Sequence, residues 1–322
     1  MPRLSLNKAI KAGNGARAFV GLECGLTRGS LPQEEVHQLE AELARAKREA
    51  ADLRRTLRSS AGTRGAVPDF IIIGAQRCGT TYLYDLLRRH PYFKPAERKE
   101  LHFFDRDANY AKGLSWYMSQ FPQPDIRNGQ KEITGEATPY YLCHGLAPQR
   151  AARMVPGAKL VVMLRNPIDR AYSGHMHHSR RGEESLSFDD AIAAERQGEP
   201  NPLDTGQAVA DDARGRRVRR HHFHLARGIY VHQLREWQKY FSSDQILVIR
   251  SEDFFANPGV VARDVQRFVG LPDHDLDTAS VRNRNLGTYK EAMAPATRKR
   301  LEAYFAPYNK ELFHHLGRDL CW

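Results

Sequence analysis

Asp69-Phe-Ile-Ile-Ile-Gly74-Ala-Gln-Arg77-Cys78-Gly79-Thr80-Thr81-Tyr-Leu83 decides the fold. Phe70 to Ile73 are uninterrupted apolar residues of strand length, the pattern of a strand buried on both faces. Gly74 opens a glycine turn, and helical spacing runs from Thr80 to Arg89. Strand, glycine loop and helix in that order let successive backbone N–H groups face an anion, with the positive end of the helix behind them. The spacing is that of the nucleotide loop Gly-x4-Gly-Lys-Ser/Thr, but Thr80 stands where the lysine belongs. The cation moves to Arg77, earlier in the loop. Hydrolysis of Mg-ATP needs that lysine and a metal-binding Asp at the end of a second strand. The candidate second strand, Lys159–Leu164, runs instead into Arg165. The loop suits an anion and is poorly built for an ATPase or kinase.

Around this unit the chain alternates short apolar runs with helical spacing. Glu132–Thr134 and Gln245–Ile249 are further candidate strands. Pro167–Arg180, Ser187–Arg196, Tyr230–Phe241, Pro258–Val269 and Pro295–Leu316 read as helices. The alternation predicts an α/β fold, a P-loop-type parallel sheet flanked by helices. Ligands in such sheets bind beyond the carboxyl ends of the strands. Arg165-Asn-Pro-Ile-Asp-Arg-Ala-Tyr-Ser173 occupies such a place. Asn166 caps a helix that starts at Pro167, which leaves Arg165 at the strand end and Ser173 about two turns along. An arginine and a hydroxyl on one ledge can share a second phosphate.

The chain has 322 residues, 41% hydrophobic and 27% charged, enough for a sizeable core. Its 49 Lys and Arg against 38 Asp and Glu give +11, which favours an anionic ligand without naming it. The excess sits mostly away from the two anchors. Residues 1–68 hold 12 basic and 7 acidic side chains, and Arg214–Arg220 adds five arginines. No apolar run approaches the roughly 20 residues of a membrane span. Charged residues interrupt the first 25 positions, so no signal-peptide core forms, and the sequence reads as cytoplasmic. Cys24, Cys78, Cys143 and Cys321 lie far apart with no Cys-x-x-Cys, against a zinc site or a disulfide scaffold. Gly13-Asn-Gly15-Ala-Arg-Ala18 imitates a dinucleotide loop but has no strand before it. Ser30-Leu-Pro-Gln33 reads as a capping box. Val36, Leu39, Leu43, Ala46, Ala50, Leu53 and Leu57 then recur at steps of three and four. The expected organisation is a basic segment and coiled-coil-like helical arm over residues 1–67, with its helix at about 31–58, and a catalytic domain over 68–322. The arm either self-associates or packs on its own domain.

Phe70–Leu83 resembles the 5′-phosphosulfate loop of the sulfotransferases, and Arg165–Ser173 is similar to their 3′-phosphate motif. Lys99-Glu-Leu-His-Phe-Phe-Asp105 resembles the catalytic segment of the heparan-sulfate-type carbohydrate branch. Gly228–Trp237 and Tyr304–Leu312 are similar to stretches that follow in that family. The resemblance implies a transferase that moves a sulfuryl group from 3′-phosphoadenosine 5′-phosphosulfate (PAPS) to a hydroxyl, releasing PAP and needing no metal. It implies that Arg77, Cys78, Gly79, Thr80 and Thr81 hold the 5′-phosphosulfate, with Arg77 also neutralising the leaving group. Arg165 and Ser173 would hold the 3′-phosphate. Glu100 would be the general base, with His102 beside it on one face of an extended segment.

Two departures qualify this. The family's loop cation is commonly Lys, and Arg77 keeps the charge with a different fork geometry. In the heparan-sulfate 3-O enzymes a Glu-Lys-Thr-Pro stretch contacts the polysaccharide through its lysine, and Ala137 stands there in Gly135-Glu-Ala-Thr-Pro-Tyr140. Glu136 and Tyr140 remain as acceptor-binding candidates just after a strand. The implied acceptor is a glycan or glycoconjugate, with a lipid or small molecule as the alternative. Arg214–His224, five arginines and three histidines, is either a cradle for an acidic acceptor or a solvated loop. His175, His177 and His178 share a helix but have no Cys or carboxylate at clear ligand spacing, so no metal site is expected. A nucleic-acid-binding module would explain the charge yet leave both anchors and Glu100 unused, and no RNA- or DNA-binding motif appears.

Overall fold

The computed structural model describes residues 65–197, 223–279 and 292–322, together with Glu42. By contacts the chain divides into two units, Met1–Arg54 and Arg55–Trp322. The second holds the fold described below. The expected arm helix at 31–58 and the arginine-rich stretch 214–222 lie outside the described residues.

In chain order the strands are β1 (Phe70–Gly74), β2 (Phe93–Pro95), β3 (Ile126–Arg127), β4 (Gln130–Lys131), β5 (Ile133–Ala137), β6 (Lys159–Leu164) and β7 (Ile246–Arg250). The helices are α1 (Thr80–Leu87), α2 (Asp107–Tyr110), α3 (Gly113–Met118), α4 (Ala147–Met154), α5 (Pro167–Arg180), α6 (Phe188–Gln197), α7 (Tyr230–Gln238), α8 (Ser251–Ala256), α9 (Pro258–Val269) and α10 (Pro295–Leu316). Five strands form one sheet in the order β2-β5-β1-β6-β7, and every pairing in it is parallel. β3 and β4 make a separate antiparallel hairpin. The α/β parallel sheet is the one expected from the sequence, and α5, α9 and α10 have the expected bounds.

The centre of the sheet is dry. Phe70, Ile71, Ile72 and Ile73 are fully buried, as are Leu160 to Leu164 on β6. Each such side chain contributes about 1.5–3 kcal/mol on burial. β1 lies between β5 and β6, with Phe70 opposite Gly135 on one side and Lys159 on the other. This register brings three strand ends to one edge.

β5 is a correction. The expected strand was Glu132–Thr134, with Gly135–Tyr140 following it. The strand instead runs Ile133–Ala137, straight through Gly135. A Cβ at Gly135 would stand 2.6 Å from the Phe70 ring. The glycine therefore admits a neighbouring aromatic side chain and does not end the strand. Glu136 is thereby drawn into the sheet.

His224 closes the region where the chain returns to the fold before α7. Its ring lies among those of His175, His178 and Phe188, with centroids 5.5, 6.4 and 6.4 Å away. The Glu195 carboxylate accepts the N–H groups of His224, Leu225 and Ala226. Arg170 donates to the His224 carbonyl. Burial, reinforced by Arg170 and His175, pushes the His224 imidazole down to about 2. A folded value below the unfolded one contributes stability that is complete above about pH 6.5 and drains away as the pH falls below it. Between pH 7.5 and 5.5 this group should remove about 1.4 kcal/mol of stability. His224→Phe, neutral at every pH, should lose correspondingly less, as read from urea midpoints at the two pH values. Equal acid sensitivity in the two proteins would show that His224 is not the group titrating.

Candidate active site

The loop after β1 enters α1 through two left-handed residues, Arg77 (φ 69°) and Gly79 (φ 88°). Its first residue is tied to the neighbouring strand, Ala75 N–H donating to the Met163 carbonyl at 2.8 Å. The Ser251 hydroxyl donates to the Cys78 carbonyl at 2.8 Å. Cys78 is fully buried, its Sγ 4.0 Å from the Tyr230 hydroxyl. The Cys78 N–H turns inward to the Ala75 carbonyl at 3.3 Å. Its side chain therefore cannot touch a ligand, and its part is to shape the loop. Thr80 and Thr81 are the first residues of α1, where N–H groups have no partner within the helix.

Arg77, Arg165 and Ser173 are brought onto one ledge. Arg77 Nε donates to Ser173 Oγ at 3.1 Å, and its Nη1 lies 3.5 Å from His177 Nδ1. Arg165 Nη1 reaches the Arg77 carbonyl at 3.5 Å. The ledge is fixed from behind. Tyr230 donates to the Arg165 carbonyl at 2.9 Å, Glu252 accepts the Asn166 N–H at 2.9 Å, and Asn166 Oδ1 caps α5 at the Ile168 N–H. Burial, aided by Arg77, lowers His177 to about 4. It stands there as a neutral acceptor.

The Lys99–Asp105 segment hangs from the end of β5, the strand next to β1. Glu100 N–H donates to the Ala137 carbonyl at 3.0 Å, and Thr138 N–H to the Ile72 carbonyl at 3.1 Å. Glu100 and His102 do share a site, but the segment is not extended. Both residues are left-handed, with φ of 63° and 52°. Asn109 supports the turn by donating to the carbonyls of Leu101 and His102. His102 Nδ1 pairs with Asp105 Oδ2 at 2.8 Å, its Nε2 lies 3.7 Å from Glu100 Oε2, and Lys99 Nζ donates to Glu100 Oε1 at 2.6 Å. Burial works to raise the Glu100 carboxyl, but His102 and Lys99 outweigh it and hold it at about 2. Burial likewise works to lower His102, and Asp105 and Glu100 overcome it, so that His102 sits above its ordinary value.

Glu136 is another correction. It is fully buried and accepts hydroxyls from Tyr117 (2.5 Å), Thr138 (2.6 Å) and Tyr141 (3.2 Å). It offers no surface for a ligand to touch. Tyr140 is buried, with one ring face covered by the Arg227 guanidinium 4.9 Å from its centroid, and Arg227 Nη1 donates to Gln76 of the loop after β1 at 2.5 Å. His175 binds the Leu186 carbonyl and His178 the Glu183 carboxylate. Among the described residues no group of three or more His, Cys, Asp or Glu is placed to hold a metal, and no helix is long and apolar enough to cross a membrane.

The sulfotransferase domain covers residues 67–292. The chain belongs to the sulfotransferase family. It is a transferase. A sulfotransferase from Alicyclobacillus acidocaldarius has the same fold, with a TM-score of 0.63 and 31% identity over 79% of this chain and 98% of that one. The bifunctional heparan sulfate N-deacetylase/N-sulfotransferase 1 of Caenorhabditis elegans is 31% identical over 221 residues, 67% of this chain and 24% of that protein. The human bifunctional heparan sulfate N-deacetylase/N-sulfotransferase 3 is 30% identical over 285 residues, 79% of this chain and 31% of that protein. This sulfotransferase therefore spans about a quarter to a third of the length of the curated relatives it matches.

Sequence reasoning left Asp105, Lys99 and His177 of this sulfotransferase without roles. Asp105 and Lys99 were within reach, as the two ends of the Lys99–Asp105 motif. His177 depended on the rotation of α5, which only the structure gives. The Lys99–Glu100 pair carries a prediction. Lys99→Met removes a cation that holds the Glu100 carboxyl down, so the acid limb of the kcat/KM profile should move to higher pH. An unmoved limb in Lys99→Met would show that Glu100 does not govern it.

Proposed function

We propose that this enzyme transfers the sulfuryl group of PAPS to a hydroxyl or amine of a carbohydrate acceptor, with Glu100 as general base and PAP as the second product. The observation that carries this reading is the ledge on which Arg77, Arg165 and Ser173 converge, beside Glu100 on the next strand end. Two anion anchors suit a nucleotide with phosphate at both its 3′ and 5′ ends. A lysine-less loop and a cation at the end of β6 do not suit Mg-ATP. Gly79, Thr80 and Thr81 N–H groups with Arg77 receive the 5′-phosphosulfate, and Arg165 with Ser173 receives the 3′-phosphate.

In the reaction an acceptor O–H or N–H loses its proton to Glu100 as its heteroatom bonds to sulfur. The bond from sulfur to the 5′-phosphate oxygen breaks in line, and its electron pair leaves on PAP. Arg77 and the loop N–H groups neutralise the charge that develops there. A carboxyl at about 2 is a weak base, and Lys99 and His102 are what weaken it. Brønsted behaviour favours a base nearer the working pH. Acceptor binding that draws Lys99 away therefore strengthens Glu100 when the proton must move. The Asp105–His102 pair orients the imidazole toward Glu100 and the acceptor. Tyr140 is buried beneath Arg227 and supports the loop through that guanidinium's bond to Gln76, so it is no acceptor ligand.

The curated relatives are named for N-sulfation of heparan sulfate, which supports a carbohydrate and admits an amine as well as a hydroxyl. Calorimetry with PAP should show binding that weakens at least about tenfold in Arg165→Ala, the loss of one charge-assisted contact. Glu100→Gln should keep PAP affinity while turnover falls by about 10²–10⁴. Labelled PAPS offered with de-N-sulfated heparin and with its N-acetylated, de-O-sulfated counterpart separates amine from hydroxyl acceptors. Stabilisation by Mg-ATP in place of PAP would reject the donor, and near wild-type turnover in Glu100→Gln would reject the base.

A further inference from the structure

Glu136 has no part in the steps above, yet it is a fully buried carboxylate one strand end from the chemistry. Its described partners are neutral hydroxyls, those of Tyr117, Thr138 and Tyr141. Burial raises its carboxyl against the pull of those donors. Such a group is a poor source of stability beside an apolar side chain of equal volume. What it does have is direction. Glu136 accepts the hydroxyl proton of Tyr141, which leaves the Tyr141 oxygen lone pairs to face other donors.

Those lone pairs meet the catalytic segment. Tyr141 Oη accepts the N–H of Phe103 at 2.8 Å. Phe103 follows His102, and its ring is packed against Tyr117, centroids 4.4 Å apart and nearly parallel. Left-handed backbone at a residue with a side chain costs about 1–2 kcal/mol and persists only where the surroundings over-determine it. Glu100 and His102 are two such residues within three positions. The restraints on them are the Ala137 carbonyl, the Asn109 amide and Tyr141. Tyr141 is the one whose own hydroxyl is held in turn by a buried carboxylate.

We propose that Glu136 is a positioning residue, which, through the Tyr141 hydroxyl on the Phe103 amide, fixes the left-handed turn that presents Glu100 and His102. It touches no substrate. The inference rests on the catalytic reading of Glu100 and His102, so its test is read without turnover.

Tyr141→Phe removes the acceptor oxygen, and Glu136→Gln keeps the shape while removing the fixed polarity. Tyr117→Phe removes a hydroxyl from the same carboxylate but leaves the Tyr141–Phe103 link, and serves as control. The readouts, on the full chain, are hydrogen exchange at the Phe103 amide and NMR titration of the His102 ring. In Tyr141→Phe and Glu136→Gln the amide should exchange about tenfold faster, the worth of one hydrogen bond. The His102 midpoint should drop toward that of an ordinary histidine, because the turn no longer holds the ring between Asp105 and Glu100. Tyr117→Phe should leave both readouts as in the wild type. Wild-type exchange and titration in both test variants would overturn the proposal, and so would equal changes in Tyr117→Phe, which would mark loss of packing alone. If Tyr141→Phe does not fold, the near-isosteric Glu136→Gln decides by itself. Active Glu100→Gln would sink the base assignment and leave this positioning result standing.

Discussion

The parallel pairing of β1 between β5 and β6 is the constraint on which everything else depends. A parallel sheet sends all its strands out of the same edge, so loops far apart in sequence emerge side by side. Here that edge receives Arg77 from β1, Glu100 hung on the end of β5, and Arg165 from the end of β6. A one-residue slip of β1 would exchange its two faces. It would also take Phe70 from the place that Gly135 leaves for it. The glycine and the phenylalanine thus hold a register that the strand-end residues inherit.

At that edge, cations and carboxylates are set against one another before any ligand arrives. Arg77 leans on Ser173 and His177, and Glu100 lies between Lys99 and His102. The site is preorganised in position while its charges are held by contacts that a ligand can replace. Replacement costs less than creating order from a loose loop, because the backbone entropy has already been lost on folding.

Legibility followed locality. β1, β6, α5, α9 and α10 could be read from sequence because their signals are local: unbroken apolar runs, Pro at helix starts, and Gly270 and Gly317 in left-handed caps. The donor anchors followed from them, since a residue after a strand has only one edge to occupy. What sequence did not give depended on distant partners. Gly135 reads as a stop until Phe70 is placed against it. β2, Phe93–Pro95, is a three-residue edge strand holding a proline, too short for a pattern. The left-handed turn at Glu100 and His102 has no glycine to announce it, because the Ala137 carbonyl of β5 and the Asn109 side chain of α2 hold it. Glu136 looked like an acceptor ligand because its burial comes from the aromatic rings above it.

The loop between β1 and α1 also contains a cysteine, and its surroundings make that thiol chemically quiet. Cys78 is wholly buried, and burial pushes its thiol above the ordinary range although Arg170 and Arg165 pull the other way. Alkylating reagents and oxidants attack exposed thiolate. Among the described cysteines they find Cys321 exposed and Cys78 and Cys143 closed. Among the described residues, this leaves the exposed Cys321 as a handle for labelling the folded enzyme while the loop sulfur stays sheltered.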